Sequence, residues 1–126
     1  MRILVCGSTG FIGRNIVKSL QKVNGYKVTA VYNKRPPFLI DNVDFVQADL
    51  TVADDVERVV KSHDIVIQAA ANTTGVKDVI ERPYVHVTDN AVMNSLILKS
   101  CYDNHVKKFI FFSCTVMYQT KAQPFL

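Results

Sequence analysis

The segment GSTGFIGR, at positions 7–14, restricts the fold more than any other part of the chain. Before it, RILVC (2–6) is short, continuous and β-branched, as a strand buried on both faces should be. After it, Ile12, Ile16, Val17, Leu20 and Val23 recur at helical spacing, and Asn24-Gly25 makes a good helix stop. Glycine tolerates positive φ and lets another group approach the backbone closely. A loop carrying Gly7, Gly10 and Gly13 between a buried strand and a helix start therefore directs free N–H groups at an anion. The positive end of the helix dipole adds to that attraction. The competing reading is a tight turn with no ligand.

The alternation continues along the chain. KVTAVYN (27–33) reads as a second strand, Pro36-Pro37 interrupts the chain, and VDFVQA (43–48) reads as a third strand. Asp54 to Lys61 reads as a short helix with Val56, Val59 and Val60 facing inward. DIVIQAAA (64–71) is the fourth strand and NTTGVKD (72–78) a polar loop. A long helix is expected from Pro83 to about Asn104, with Val87, Ala91, Leu98 and Cys101 at helical spacings. KKFIFFS (107–113) is the fifth strand, and CTVMYQTKAQPFL carries no clear element. Strands alternating with helices imply a doubly wound α/β fold of the Rossmann type. Its five parallel strands are expected in the order 3-2-1-4-5, with the glycine loop at their carboxyl edge.

Composition limits what such a chain does. At 126 residues, 48% of them hydrophobic and 21% charged, it is one globular domain at most. No apolar run reaches the roughly 18 residues of a membrane span. The opening MRILVCG lacks the length and cleavage site of a signal peptide, so a soluble, cytoplasmic protein is expected. The net charge of +4 is spread in pairs such as Lys34-Arg35 and Lys107-Lys108, which argues against nucleic-acid binding. Cys6, Cys101 and Cys114 are widely spaced and suit neither a disulfide framework nor a metal site; small buried side chains are the plain reading. His63 and His105 fall at expected helix ends, where a cation favours the dipole.

Several motifs, in order, carry a family resemblance. CGSTGFIG (6–13) resembles the TGxxGxxG signature of the extended short-chain dehydrogenase/reductases, the nucleotide-sugar epimerase, dehydratase and reductase family. Cys6 stands where the family usually has Thr. Asp49-Leu50 resembles the acidic pair that contacts adenine. Ala69-Ala70-Ala71 resembles the small residues that let the cofactor pass, and Asn90 falls where the family's long helix has its Asn. FIFFSCTVMY (109–118) resembles the segment usually read as FxxSSxxVY. Within the family, the 72–78 and 107–118 regions look closest to the GDP-fucose synthase-like reductases. The resemblance implies a cofactor cradle of Gly7, Thr9, Gly10, Phe11, Ile12, Gly13 and Arg14. It also implies a nucleotide-sugar substrate, with a homodimer as a candidate assembly.

The second strand ends in Tyr32-Asn33, where NAD-selective proteins place an acid for the ribose 2′-hydroxyl. Asn33, Lys34 and Arg35 follow the strand there, and Arg14 adds a third cation. An acid would repel a 2′-phosphate; Arg and Lys bind one. NADP is therefore expected ahead of NAD, against the reading that Lys34 and Arg35 are solvated loop charges.

The catalytic half is less regular. The family's catalysis uses a Ser or Thr with a Tyr and Lys in YxxxK, the Lys lowering the Tyr pKa. Four residues before Tyr118, the Ser/Thr position falls on Cys114, with Ser113 and Thr115 beside it. A thiol is the poorer donor. Cys114 as a nucleophile lacks a neighbouring His to activate it. Tyr118 and Lys121 form YxxK, one residue short. The chain is thus expected to be the NAD(P)-binding portion of a longer epimerase or reductase, ending before the catalytic Tyr/Lys and the substrate lobe. Alone it should be inactive. The rival is a non-catalytic, NADP-sensing regulator.

Overall fold

The computed structural model describes residues 1–73, 80–82 and 84–113, apart from the Val85 side chain. The elements whose bounds fall within the described residues are, in order, β1 (Arg2–Cys6), α1 (Phe11–Leu20), β2 (Lys27–Tyr32), β3 (Val43–Gln47), α2 (Ala53–Val60), β4 (Ile65–Gln68), α3 (Tyr84–Asp103) and β5 (Lys108–Phe111). The strands form one parallel sheet in the expected order β3-β2-β1-β4-β5. β1 lies at its centre, with Leu4 beside Thr29 of β2 on one side and Val66 of β4 on the other.

Side chains alternate across a strand, so β1 supplies two cores. Ile3 and Val5 join Val17, Val28, Ala30 and Ile67 on the face covered by α1. Leu4 and Cys6 join Val31, Val56, Val60, Val66, Met93 and Ile97 on the face covered by α2 and α3. The short helix is oriented as its sequence implies, with Val56, Val59 and Val60 all buried. Glu57 ties it to α3 by accepting from the Ser100 hydroxyl (2.7 Å) and the Asn104 amide (3.0 Å). Those two bonds hold the Glu57 carboxyl below the usual range.

Three sequence expectations need correction. The strand expected over 64–71 stops at Gln68, because that side chain turns back on Ala70. Its Oε1 accepts from the Ala70 N–H and its Nε2 donates to the Ala70 carbonyl, both at 3.2 Å. The face of α3 is also rotated from the one expected. Cys101 is buried, but Val87, Ala91 and Leu98 face outward, while Met93, Ile97 and Ser100 pack inward. α3 is apolar on more than one side, so spacing alone could not select the stripe that meets α2.

His63, finally, is not a helix-end cation. It is half-buried, its Nε2 lies 2.9 Å from the Thr29 hydroxyl, and burial, with the Arg2 charge nearby, holds its pKa low. His105 follows α3 in a left-handed conformation (φ 54°), its N–H bonded to the Tyr102 carbonyl. Pro83, residues 74–79 and the segment from Cys114 onward lie outside the described residues. Among the described residues, no helix is long and apolar enough to cross a membrane.

Candidate functional site: a cleft at the carboxyl edge of the sheet

The three glycines answer three different demands. Gly7 has φ +73°, and a Cβ there would stand 2.5 Å from the Ala70 Cα. A Cβ on Gly13 would stand 2.2 Å from the Gly7 carbonyl oxygen, so this glycine lets α1 pack against the turn. Gly10 is different. It precedes α1 with extended backbone, and its nearest neighbour would be the Gly7 oxygen at 3.3 Å. Internal packing explains Gly7 and Gly13; at Gly10 the space opens outward.

No side chain caps the start of α1. The first N–H groups of a helix have no intrahelical partner, so those of Phe11, Ile12 and Gly13 are available to a ligand. The loop itself is held firmly. Ser8 is fully buried and donates both its hydroxyl (2.8 Å) and its N–H (2.9 Å) to the Val31 carbonyl at the end of β2.

Beside this loop a cleft of about 650 Å³ opens, within the range of small-molecule and cofactor sites. The fold brings Gly7, Thr9, Gly10 and Phe11 into its lining from the glycine loop, and Asn33, Lys34 and Arg35 from the end of β2. Asp49 and Leu50 line it after β3, and Ala69, Ala70 and Ala71 after β4. Arg35 reaches across the mouth, its guanidinium donating to the Thr9 carbonyl at 3.3 Å. Asp49 accepts from the Thr51 hydroxyl (2.7 Å) and N–H (3.0 Å), which hold its carboxyl below the ordinary range, with Lys34 adding a smaller effect. It stays ionised at neutral pH.

Four of the proposed cofactor positions lie outside the lining. Gly13 is buried behind Gly7, and Ile12 is exposed on α1. Arg14 lies over the Phe38 ring, 4.5 Å from its centroid. Asn90 acts at one remove: its amide donates to the Asn72 carbonyl (3.0 Å) and its oxygen accepts the Asn72 N–H (2.7 Å). Asn72 itself lines the cleft. Ser113 is exposed just beyond β5, and Cys114 and Thr115 lie outside the described residues.

Sequence reasoning missed the residues that support this edge. Gln68 is fully buried and donates to the Asn94 side chain of α3 at 2.8 Å, as well as bracketing Ala70. Asp89, Thr51, Ala48 and Met93 also reach the lining. A glutamine in an otherwise apolar strand was the available signal for the first. Nothing in the spacing announced the others. The described cysteines fit the plain reading: burial raises the thiol of Cys6 to about 12 and that of Cys101 to about 11, so both are inert packing groups.

A central strand, a three-glycine turn and a helix start, set in a 3-2-1-4-5 parallel sheet, define the Rossmann class of fold. The model of the NAD dependent epimerase/dehydratase family matches residues 3–125, and the chain belongs to that family. The UDP-glucose 4-epimerase of Vibrio cholerae is 32% identical over 114 residues, covering 88% of this chain and 34% of that protein. Among solved structures, the UDP-N-acetylglucosamine 4-epimerase of Methanobrevibacter ruminantium M1, in complex with UDP-N-acetylmuramic acid, is 28% identical with a TM-score of 0.80. That match covers 97% of this chain and 40% of the other. The UDP-glucose 4-epimerase of Thermus thermophilus, in complex with NAD, is 30% identical with a TM-score of 0.74, covering 86% and 36%. The chain thus spans about a third of the length of the curated relative.

Proposed function

We propose that the cleft binds a nicotinamide dinucleotide, NADP in preference to NAD, and that the chain is the cofactor-binding portion of a nucleotide-sugar epimerase or reductase. The observation that carries this reading is the uncapped start of α1 behind Gly10, a residue that lines the cleft and whose Cβ would have one close neighbour, the Gly7 oxygen at 3.3 Å. Backbone N–H groups and a helix dipole there suit the pyrophosphate. The relatives named above support the class of substrate, since their names specify UDP-linked sugars.

In this reading the glycine loop holds the pyrophosphate, and Asp49 and Leu50 meet the adenine. Ala69, Ala70 and Ala71 keep the floor low enough for the dinucleotide to pass. Lys34 and Arg35, with no acid at the end of β2, favour a 2′-phosphate. The cofactor, when bound, supplies hydride exchange with a carbon of the keto-sugar. Ser113, Cys114 and Thr115 follow β5 in the chain, and we assign to them the donor that fixes the sugar oxygen. A second reading, a regulator that senses NADP without turnover, is favoured by Cys114 at the Ser/Thr position and by the short Tyr118–Lys121 spacing.

Calorimetric titration with NADPH and NADH tests the proposal. NADPH should bind more tightly, and Arg35→Ala should weaken it by about 1.5–3 kcal/mol, the value of a charge-assisted hydrogen bond. Equal affinities in the wild-type protein would remove the NADP preference. Binding of neither nucleotide would remove the cofactor site.

A further inference from the structure

The loop that follows β2 is joined to the glycine turn and α1 at two points. Arg35 donates to the Thr9 carbonyl at 3.3 Å, and Arg14, on the first turn of α1, lies over the ring of Phe38 at 4.5 Å. Phe38 is itself fixed, packed on the α1-side core with its ring edge-on to Phe45 of β3 (centroids 5.3 Å apart, 77° between planes). A guanidinium stacked by its face keeps its N–H groups in the plane and free to donate. Among the described residues, the Arg14 guanidinium has this ring contact and no hydrogen bond or ion pair. The three cations of this corner are therefore in different states. Arg35 already commits a donor to a backbone carbonyl, Lys34 is a point charge on the loop, and Arg14 is oriented but uncommitted.

The geometry points to Phe38 as a specificity-positioning residue: its ring fixes Arg14 beside the loop that brings Lys34 and Arg35 into the cleft, one helical turn from Phe11 of the lining, where its free donors would meet the 2′-phosphate of NADP. This rests on the dinucleotide reading given above. Neither Phe38 nor Arg14 lines the cleft itself, and of the two only Arg14 carries hydrogen-bond donors, so an effect of Phe38 on the phosphate runs through Arg14. A residue acting in this way should change the choice between NADPH and NADH and leave the common part of binding alone.

The test compares both dissociation constants in the full chain. Phe38→Leu keeps apolar contact with Phe45 but removes the aromatic face, and should weaken NADPH about threefold or more while leaving NADH unchanged. Phe38→Tyr restores the ring and should restore the preference. Arg14→Met, on an exposed position, should lower NADPH affinity by at least as much as Phe38→Leu, and the two substitutions combined should cost no more than Arg14→Met alone. Equal losses for both nucleotides in Phe38→Leu, or an unchanged ratio, would overturn the inference while leaving the dinucleotide site standing. Should Phe38→Leu fail to fold, an unchanged ratio in Arg14→Met overturns it by itself. A wild-type protein that binds NADH as tightly as NADPH would overturn the NADP reading and the inference with it.

Discussion

Gly7, Gly10 and Gly13 look alike in sequence, yet substitution should separate them. An alanine at Gly13 drives its Cβ into the Gly7 carbonyl at 2.2 Å, and the backbone it strikes does not yield cheaply. Gly13→Ala should cost about 3 kcal/mol or more, in the range of severe overpacking. Gly7→Ala adds a left-handed penalty of about 1–2 kcal/mol to its collision with Ala70. Gly10→Val meets only one tight neighbour in an allowed conformation, so the fold should lose about 1 kcal/mol, as for a poorer N-cap, while nucleotide binding disappears. Urea midpoints and nucleotide titrations on the three variants check the order. A Gly10→Val protein that binds as wild type would place the phosphate cradle elsewhere. The sequence called for glycines here; what stands opposite each Cβ separates Gly7 and Gly13, which packing requires, from Gly10, which we propose serves the ligand.

Among the elements, α3 is where pattern reading went astray, and it yields a direct comparison. Ile97 is fully buried between α2 and the sheet, whereas its neighbour Leu98 is 56% exposed. Ile97→Ala should cost about 2–5 kcal/mol. Leu98→Ala should stay within about 0.5 kcal/mol. Thermal or chemical unfolding of the pair measures this, and similar losses at both positions would contradict the assigned face. The short helix α2 was read correctly because its valines fall on one side of an otherwise charged segment. α3 has apolar residues all round, so its partner, through Glu57, Ser100 and Asn104, sets its rotation.

For the whole molecule, one carboxylate joins the ends of the chain's order. Asp64, just before β4, accepts from the N–H of Arg2 at the start of β1 (2.8 Å) and from Lys107 beside β5 (2.7 Å). These bonds, the Arg2 N–H first, bring its pKa down to about 2. A carboxyl whose folded pKa is lowered stabilises the fold above the unfolded value of about 3.9 and loses that contribution as pH falls through the folded value. Asp64→Asn should therefore be less stable than wild type at pH 7, with the gap closing between about pH 4 and pH 2. A gap independent of pH would show that the charge is not what counts.

Residues 1–126 should bind NADPH yet give no turnover with 4-keto nucleotide sugars, because Tyr118 has no Lys at the spacing that would tune a phenol from about pKa 10. Turnover lost in Tyr118→Phe would show that this tyrosine is the catalytic one after all. Turnover lost only in Cys114→Ser would assign the chemistry to the thiol.

What the sequence determined by itself is what local chemistry dictates. Continuous β-branched runs between helical stripes specified five strands and their alternation, and a glycine turn after the first specified the tight passage from β1 into α1. The order 3-2-1-4-5 followed, because parallel strands with helical crossovers admit few arrangements. The tertiary structure decided what depends on contacts distant in sequence. Gln68 ends β4 and ties it to Asn94, 26 residues away, and Asn90 reaches the cleft only through Asn72. Arg14, read from the sequence as one more phosphate cation, takes its orientation from a ring 24 positions further along the chain. Periodicity records which face of an element is apolar. It does not record which distant side chain fills the space above it, and at this cleft that neighbour fixes the geometry.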